Sequence, residues 1–422
     1  MSIFGSNPST TEVKDTELVD PPSDSISCMS FSPTADYLAV GSWNHEVRLY
    51  EIGPQGQSQG KAMFKHDGPV LSVCWNKTAR MFDVQTGQTT QVAAHDDAIK
   101  SVRWVDAQGG ILATGSWDKT IKVFNLFVLV WRVLTRLEYW DLRQSTPVAK
   151  VDLPERCYTM DVVYPLLVVG TADRQVLVYD LTSPTTVFRT ITSPLKWQTR
   201  VVSCFPTGKG FGMGSIEGRV AMQYIDEKEA SNNFSFRCHR KDQGLSKNNT
   251  QIFSVNDISF HPVHGTFSTA GADGVVSFWD GDSKTRLKSL DAASGPISCT
   301  AFNRTGSLLA YAVSYEWSQG HKGMTPDLPN KIMIHQTKDD EVKQKFEDRY
   351  FQLPDRFHVS STGRNPTTKL PLAPEKTPHS IERRYVRVEI SCGSPTNMDG
   401  HHTTIHANLI IPDLNNAQGT LA

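Results

Sequence analysis

The stretch Gly208-Lys209-Gly210-Phe211-Gly212-Met213-Gly214 comes nearest to a phosphate cradle in this 422-residue chain. A cradle needs glycines where backbone N–H groups close on the anion, with a helix N-terminus behind them. Here the spacing fits neither G-x-G-x-x-G nor G-x-x-x-x-G-K-[ST], and no helical pattern follows. His261-Pro262-Val263-His264 offers two imidazoles but no Cys or carboxylate to complete a zinc shell. His401, His402 and His406 sit in the C-terminal tail, where metal binding would be adventitious. The seven cysteines are scattered without a C-x-x-C pair. Cys28, Cys74, Cys157 and Cys299 sit in apolar runs, where a reduced thiol acts as a small hydrophobe, so a reducing compartment is expected. No Ser/His/Asp set follows from spacing. The reading is a non-enzyme with no catalytic residue, no metal and no cofactor.

Composition agrees with a globular chain: 38% hydrophobic and 21% charged residues. A net charge of −1 argues against a globally basic nucleic-acid binder and leaves room for a local basic face. The longest apolar run, Leu126 to Leu134, is short and holds Arg132, so no membrane span is expected. The opening MSIFGSNPST lacks a secretory pattern.

The elements that would position any site are strands. SISCMSFSPTADYLAVGSWNHEVRLYEI (Ser25–Ile52), AIKSVRWVDAQGGILATGSWDKTIKV (Ala98–Val123) and VNDISFHPVHGTFSTAGADGVVSFWD (Val255–Asp280) share one plan. Each has two apolar runs around a turn, then Gly-Ser/Ala-x-Asp or a variant, then a third run ending in an aromatic. Such runs, bounded by Gly, Pro, Asn and Asp, read as strands and tight turns. Repeat starts fall at Ile26, Val70, Ile99, Tyr158, Val201, Val255 and Ile297, with spacings of 44, 29, 59, 43, 54 and 42. Four strands per roughly 40–45 residues is the mark of a WD40 β-propeller. The fold class is all-β, with seven blades expected. A buried polar chain of His95, Ser101, Asp118 and Trp140 is expected to hold the third repeat together, as structural residues and not catalytic ones.

Two spacings depart from the period. After Lys77 the second repeat lacks a strand and its Gly-x-x-Asp turn, so a truncated blade is expected. The third repeat carries Val123–Glu138 in excess; joining Lys122 to Tyr139 restores a regular GSWDKTIKYWDLR. We read these as a retained in-frame intron and a lost exon segment, the alternative for the excess being a genuine amphipathic insertion that docks on the propeller or a membrane. Sequencing the transcript across both junctions tests this, and an mRNA matching the chain at both places would refute it. Residues 1–17 are expected to be loose, although Glu12–Val19 could supply the outer strand of the last blade and close the ring. The propeller is assigned to 18–343 and a disordered tail to 344–422, with Arg384–Ile390 as one candidate strand.

A propeller without catalytic motifs is read as a docking platform. The residue before the turn Asp, or before the residue in its place, belongs on the top face: Trp43, Trp117, Ala172, Ile216 and Ala272. Trp at such a turn is a candidate contact. Arg237, His239, Arg240 and Lys241 form a basic cluster, with Lys196 and Arg200 nearby. Trp317 and Trp197 are possible stacking partners for single-stranded RNA.

Asp20–Glu51, FSFRCHR (Phe234–Arg240), Val255–Asp280 and SYEWSQGHKG (Ser314–Gly323) resemble the WD-repeat nuclear mRNA export factors that bind a phenylalanine-glycine nucleoporin. The mitotic checkpoint WD-repeat protein is a sister family. The resemblance implies a propeller adaptor at the nuclear pore, shuttling between nucleus and cytoplasm. It implies a short nucleoporin segment across the top face and contact with ribonucleoprotein or RNA. Arg240 and Trp317 match family positions associated with partners. Gln319 stands where the family tends to have Lys, and the tail beyond Lys343 does not match.

Overall fold

The computed structural model describes residues 14–75, 91–105, 111–125, 149–242, 250–344, 387–392 and 406–410. The described chain is built of antiparallel four-stranded sheets arranged round a channel. Blade 1 runs Ile26–Phe31, Tyr37–Ser42, Glu46–Ile52 and Ser58–Lys65. Blade 2 runs Ile99–Val105, Ile111–Ser116, Thr120–Asn125 and Ala149–Asp152. Blade 3 covers Cys157 to Thr192, blade 4 Thr199 to Arg237, and blade 5 Val255 to Ser289. Blade 6 takes Ile297–Phe302, Leu308–Val313 and Lys331–Gln336 from the C-terminal side, and Thr16–Glu17 from the N-terminal side.

Six four-stranded blades are therefore present among the described residues, not the seven expected. The physical reason is length: 29 residues between repeat starts cannot hold four strands and their turns. Val70–Trp75 still fills the gap between blades 1 and 2 as one extended segment. The Val70 carbonyl accepts from Ser27 Oγ, Trp75 Nε1 donates to the Ser30 carbonyl at 2.7 Å, and Ser72 Oγ accepts from Val102 N at 3.2 Å. The next strand, Gln91–His95, pairs in parallel with Arg387–Cys392, which also pairs with His406–Ile410. The rest of the tail lies outside the described residues. So does the excess stretch, apart from Val123–Asn125, which take third-strand ladder positions opposite Ala113, Leu112 and Ile111.

The burial pattern follows from sheet stacking. A second strand has a neighbouring blade on each face, so both faces must be apolar or small. YLAVGS, ILATGS, LLVVGT, GFGMGS, FSTAG and LLAYAV are buried throughout. Outer strands alternate instead, as in VFRTIT. The phosphate-like glycines belong to this scheme: Gly210–Ser215 is the second strand of blade 4. Gly115 shows how close the blades come. A Cβ there would lie 2.5 Å from Cys157 Sγ of the next blade.

Ring closure rests on a buried charged latch. Thr16 and Glu17 pair with Ile334 and Met333, Leu18 is buried, and its N–H donates to the Ile332 carbonyl at 2.8 Å. The residues expected to be loose thus include ring strand, and the blade begins ahead of residue 18. His335 lies 2.7 Å from Asp15 Oδ1 and 2.8 Å from Glu341 Oε2, on opposite ring nitrogens. Tyr311 Oη donates to Asp15 Oδ2 at 2.6 Å, and Lys288 Nζ of blade 5 donates to Glu341 Oε1 at 2.8 Å. Burial alone would lower the His335 pKa, but the hydrogen bonds to the two carboxylates outweigh it and raise it to about 9. Burial likewise opposes, and His335 and Lys288 overcome it, in lowering Glu341 to about 2. Burial also opposes the lowering of Asp15, and hydrogen bonds from His335 and Tyr311 overcome it.

The sign of the pH dependence follows. The His335 contribution is complete below its ordinary 6.5 and is lost as pH rises through about 9. The Glu341 contribution is complete above 4.5 and is lost as pH falls towards about 2. The thermal midpoint should therefore be highest between these limits. His335→Ala leaves the buried Glu341 with Lys288 alone as its cation and the part-buried Asp15 with only Tyr311, and should cost about 3 to 5 kcal/mol by denaturant titration. It should also flatten the alkaline fall. An unchanged midpoint and profile would rule out the latch.

Candidate functional site

One turn plan, repeated round the ring, builds the top face. The sequences are Ser42-Trp43-Asn44-His45, Ser116-Trp117-Asp118-Lys119, Thr171-Ala172-Asp173-Arg174, Ser215-Ile216-Glu217-Gly218, Gly271-Ala272-Asp273-Gly274 and Ser314-Tyr315-Glu316-Trp317. In each, the fourth residue takes positive φ, from 59° at Trp317 to 78° at Gly274. Gly218 has no alternative, because a Cβ would lie 2.7 Å from the Cys238 carbonyl. Trp317 takes this conformation with a bulky side chain, an uncommon and strained state. The turns are moored to the inner strands: Trp43 N donates to the Ser25 carbonyl at 3.0 Å and Trp117 N to that of Ala98 at 2.9 Å.

Two blades fix the turn through a buried polar chain. In blade 5, Trp279 Nε1 donates to Thr269 Oγ1 at 2.9 Å, which leaves that hydroxyl's own proton for His239 Nε2 at 3.0 Å. His239 Nδ1–H then donates to Asp273 Oδ1 at 2.8 Å. In blade 2, His95 joins Asp118 Oδ2 through Nδ1 and Thr114 Oγ1 through Nε2, both at 2.8 Å. Burial pushes the Asp118 carboxyl up, but hydrogen bonds from His95 and Thr120 prevail and hold it well below its ordinary value.

These placements correct two expectations. Ser101 is not in the chain; its hydroxyl donates to the Met160 carbonyl at 3.1 Å, and Thr114 takes the role. The hydroxyl comes from the second strand because that residue stands four before the turn carboxylate, as Thr114 does to Asp118 and Thr269 to Asp273. His239, expected among the surface contacts, is instead buried with both ring nitrogens occupied. Trp140 lies outside the described residues.

The contact candidates fall into two groups. Trp43, Trp117 and Trp317 line the mouth of the central channel, of about 730 Å³. Trp43 stacks on Trp317 with ring centroids 3.9 Å apart and planes 21° apart, and Tyr315 stands 5.8 Å from Trp317. Tyr315 was not singled out from the sequence, although it holds the turn position of Trp43. Arg237, Arg240 and Lys241 lie outside the channel lining. Arg240 Nη2 donates to the Glu217 carbonyl at 2.8 Å, and Lys241 Nζ to that of Asp273 at 2.9 Å. Desolvation, then repulsion from Arg219 and Arg237, lowers the Arg240 pKa. These cations gather over blades 4 and 5, with the Glu217 carboxylate among them, 3.5 Å from Arg219 Nε. Trp197 stands largely exposed before the inner strand of blade 4.

The face offers docking more readily than chemistry. Among the described residues no group of three or more His, Cys, Asp or Glu could hold a metal ion. Burial raises the channel thiols Cys28 and Cys74 to about 11 and about 12, so neither is a thiolate at neutral pH. His261 and His264 stack within a turn, where His261 Nδ1 accepts from the Val263 and His264 amides.

Comparison with known proteins comes from two sides. The family model for the WD domain, G-beta repeat, matches residues 16–51, 87–125 and 246–280. The chain is 52% identical to the poly(A)+ RNA export protein of Schizosaccharomyces pombe, over 82% of this chain and 99% of that one. It is 47% identical to the mRNA export factor GLE2 of Chaetomium thermophilum, over 81% and 98%. It is 43% identical to an mRNA export factor of Xenopus tropicalis, over 79% and 92%.

The buried chain of blade 5 gives a direct test. Thr269→Val leaves both His239 Nε2 and Trp279 Nε1 without a partner. It should cost about 2 kcal/mol or more, read from the urea midpoint, while Thr269→Ser retains most of the stability. Equal midpoints for all three proteins would remove the chain as a support of the turn.

Proposed function

The chain belongs to the WD40-repeat mRNA export factors, and from that premise we propose that it is a non-catalytic adaptor in mRNA export. It docks a short nucleoporin segment on its top face and brings ribonucleoprotein to the nuclear pore. The relatives carry export names, which favours this family over the checkpoint sister. The observation that carries the docking reading is the Arg240 patch. Arg240 is bonded to a backbone carbonyl, flanked by Arg219 and Arg237, and its buried Nε has no partner among the described residues. An acidic segment would pair with the solvent-facing edge of this guanidinium in charge-assisted bonds. The stacked Trp43–Trp317 pair and Trp117 supply apolar anchors of the type that dominates interface energies. The turns beneath them are held by backbone mooring, so little order remains to be imposed on binding.

Arg240→Glu should weaken an acidic nucleoporin segment by about 1 to 3 kcal/mol in calorimetry, through lost bonds and new repulsion. Unchanged affinity would take Arg240 out of the site. Direct RNA binding would instead show affinity falling steeply with salt. A flat salt dependence would assign the contact with message to ribonucleoprotein partners.

A further inference from the structure

The innermost strand of every blade carries the same irregularity. Its first and third residues pair with consecutive residues of the second strand, so its second residue is a bulge. The six bulge residues are Ser27, Lys100, Tyr158, Arg200, Asn256 and Ser298. All six line the central channel, one level below the tryptophan mouth. A bulge re-aims its side chain, and here it builds a polar ring. The ring holds two cations, one phenol, one amide and two hydroxyls, and no carboxylate.

The carboxylates that do line the channel are engaged elsewhere. Asp161 accepts from Arg103 Nε at 2.8 Å and from Cys204 N at 2.7 Å. Asp257 accepts from Ile258 N at 2.9 Å, Thr300 N at 2.6 Å and Thr300 Oγ1 at 3.0 Å. Burial also lifts Asp257 to about 6, which reduces its charge. Glu316, whose charge partly offsets Arg200, accepts from Ser318 Oγ at 2.5 Å. Arg200 Nη2 donates to the Glu316 carbonyl at 2.7 Å, and Lys100 makes no hydrogen bond or ion pair among the described residues. Desolvation, then repulsion from Arg200, depresses Lys100.

We propose that the bulge ring is a binding site for a small phosphate-bearing anion, held between Lys100 and Arg200 inside the channel. Two neighbouring cations in a low-dielectric cleft focus a positive potential and attract a doubly charged ligand. The Arg200 fork suits phosphate oxygens, and Lys100 adds a point charge. Ser298 and Tyr158 complete the ring with hydroxyl donors. The ligand is small and free, because the site lies inside the channel below the stacked Trp43–Trp317 pair. This site is separate from the Arg240 patch and does not depend on the docking role.

The test titrates the full chain with inorganic phosphate and with pyrophosphate, with acetate at matched ionic strength as the control. Saturable 1:1 binding is expected for the phosphates and not for acetate. Lys100→Met should weaken it at least tenfold, and Lys100→Met/Arg200→Gln should abolish it. Lys209→Gln, in the glycine-rich stretch of blade 4, should leave it unchanged. Thermal midpoints keep the result readable: phosphate should raise that of the native chain but not that of Lys100→Met, which should fold without phosphate at least as stably. No saturable binding, undiminished binding in Lys100→Met, or equal loss in Lys209→Gln would overturn the proposal.

Discussion

A propeller is a ring in which each blade packs only on its neighbours, so one open joint exposes the core of two blades. Here the joint is sealed by His335, which bridges Asp15 from one end of the ring to Glu341 from the other. Lys288 extends the link into blade 5, and Thr266 Oγ1 donates to the Val342 carbonyl at 2.6 Å. A buried ion set of this kind is weak evidence for net stability, because its desolvation cost is large. Its clearer effect is geometric. It admits one register for the strand Thr16–Glu17, and so one closure of the ring.

Closure is what turns loops into a surface. The mouth tryptophans come from blades 1, 2 and 6, which meet around the channel only when the ring is shut. Trp43 and Trp317 stack although they stand near opposite ends of the folded chain. Arg200 reaches from blade 4 to the backbone of the Tyr315–Trp317 turn, which ties the far side of the channel to the same mouth. The top face is therefore a property of the whole ring and not of any repeat.

Much of this was legible in the residues. Repeat starts, most turn carboxylates and the top-face residues Trp43 and Trp117 follow from spacing, because a strand of fixed length and a turn of fixed type leave a period; Trp317 came from the family resemblance. The blade count was not legible, because a period counts starts and cannot say whether 29 residues make a blade. Ser101 of the first strand and Thr114 of the second both offer a hydroxyl near the turn, and only the fold shows that Thr114 is the one facing His95. His239 looked like part of a basic cluster because Arg237, Arg240 and Lys241 surround it in sequence; only the fold shows its ring turned into the core. The bulge ring was hidden for a related reason. Strict alternation would place Ser27 and Lys100 by parity, and a bulge breaks parity at those residues. The latch was hidden because Asp15 and His335 are 320 residues apart.

The central claim is that partners dock on the top face. Oxidative footprinting with an acidic nucleoporin segment bound tests it most directly, since Trp and Met report their own exposure. The account predicts protection at Trp317, Trp43 and Trp117. It predicts none at Met63 or Phe188, which stand exposed on outer strands of blades 1 and 3. Protection at Met63 and Phe188 with the top face unchanged would contradict it.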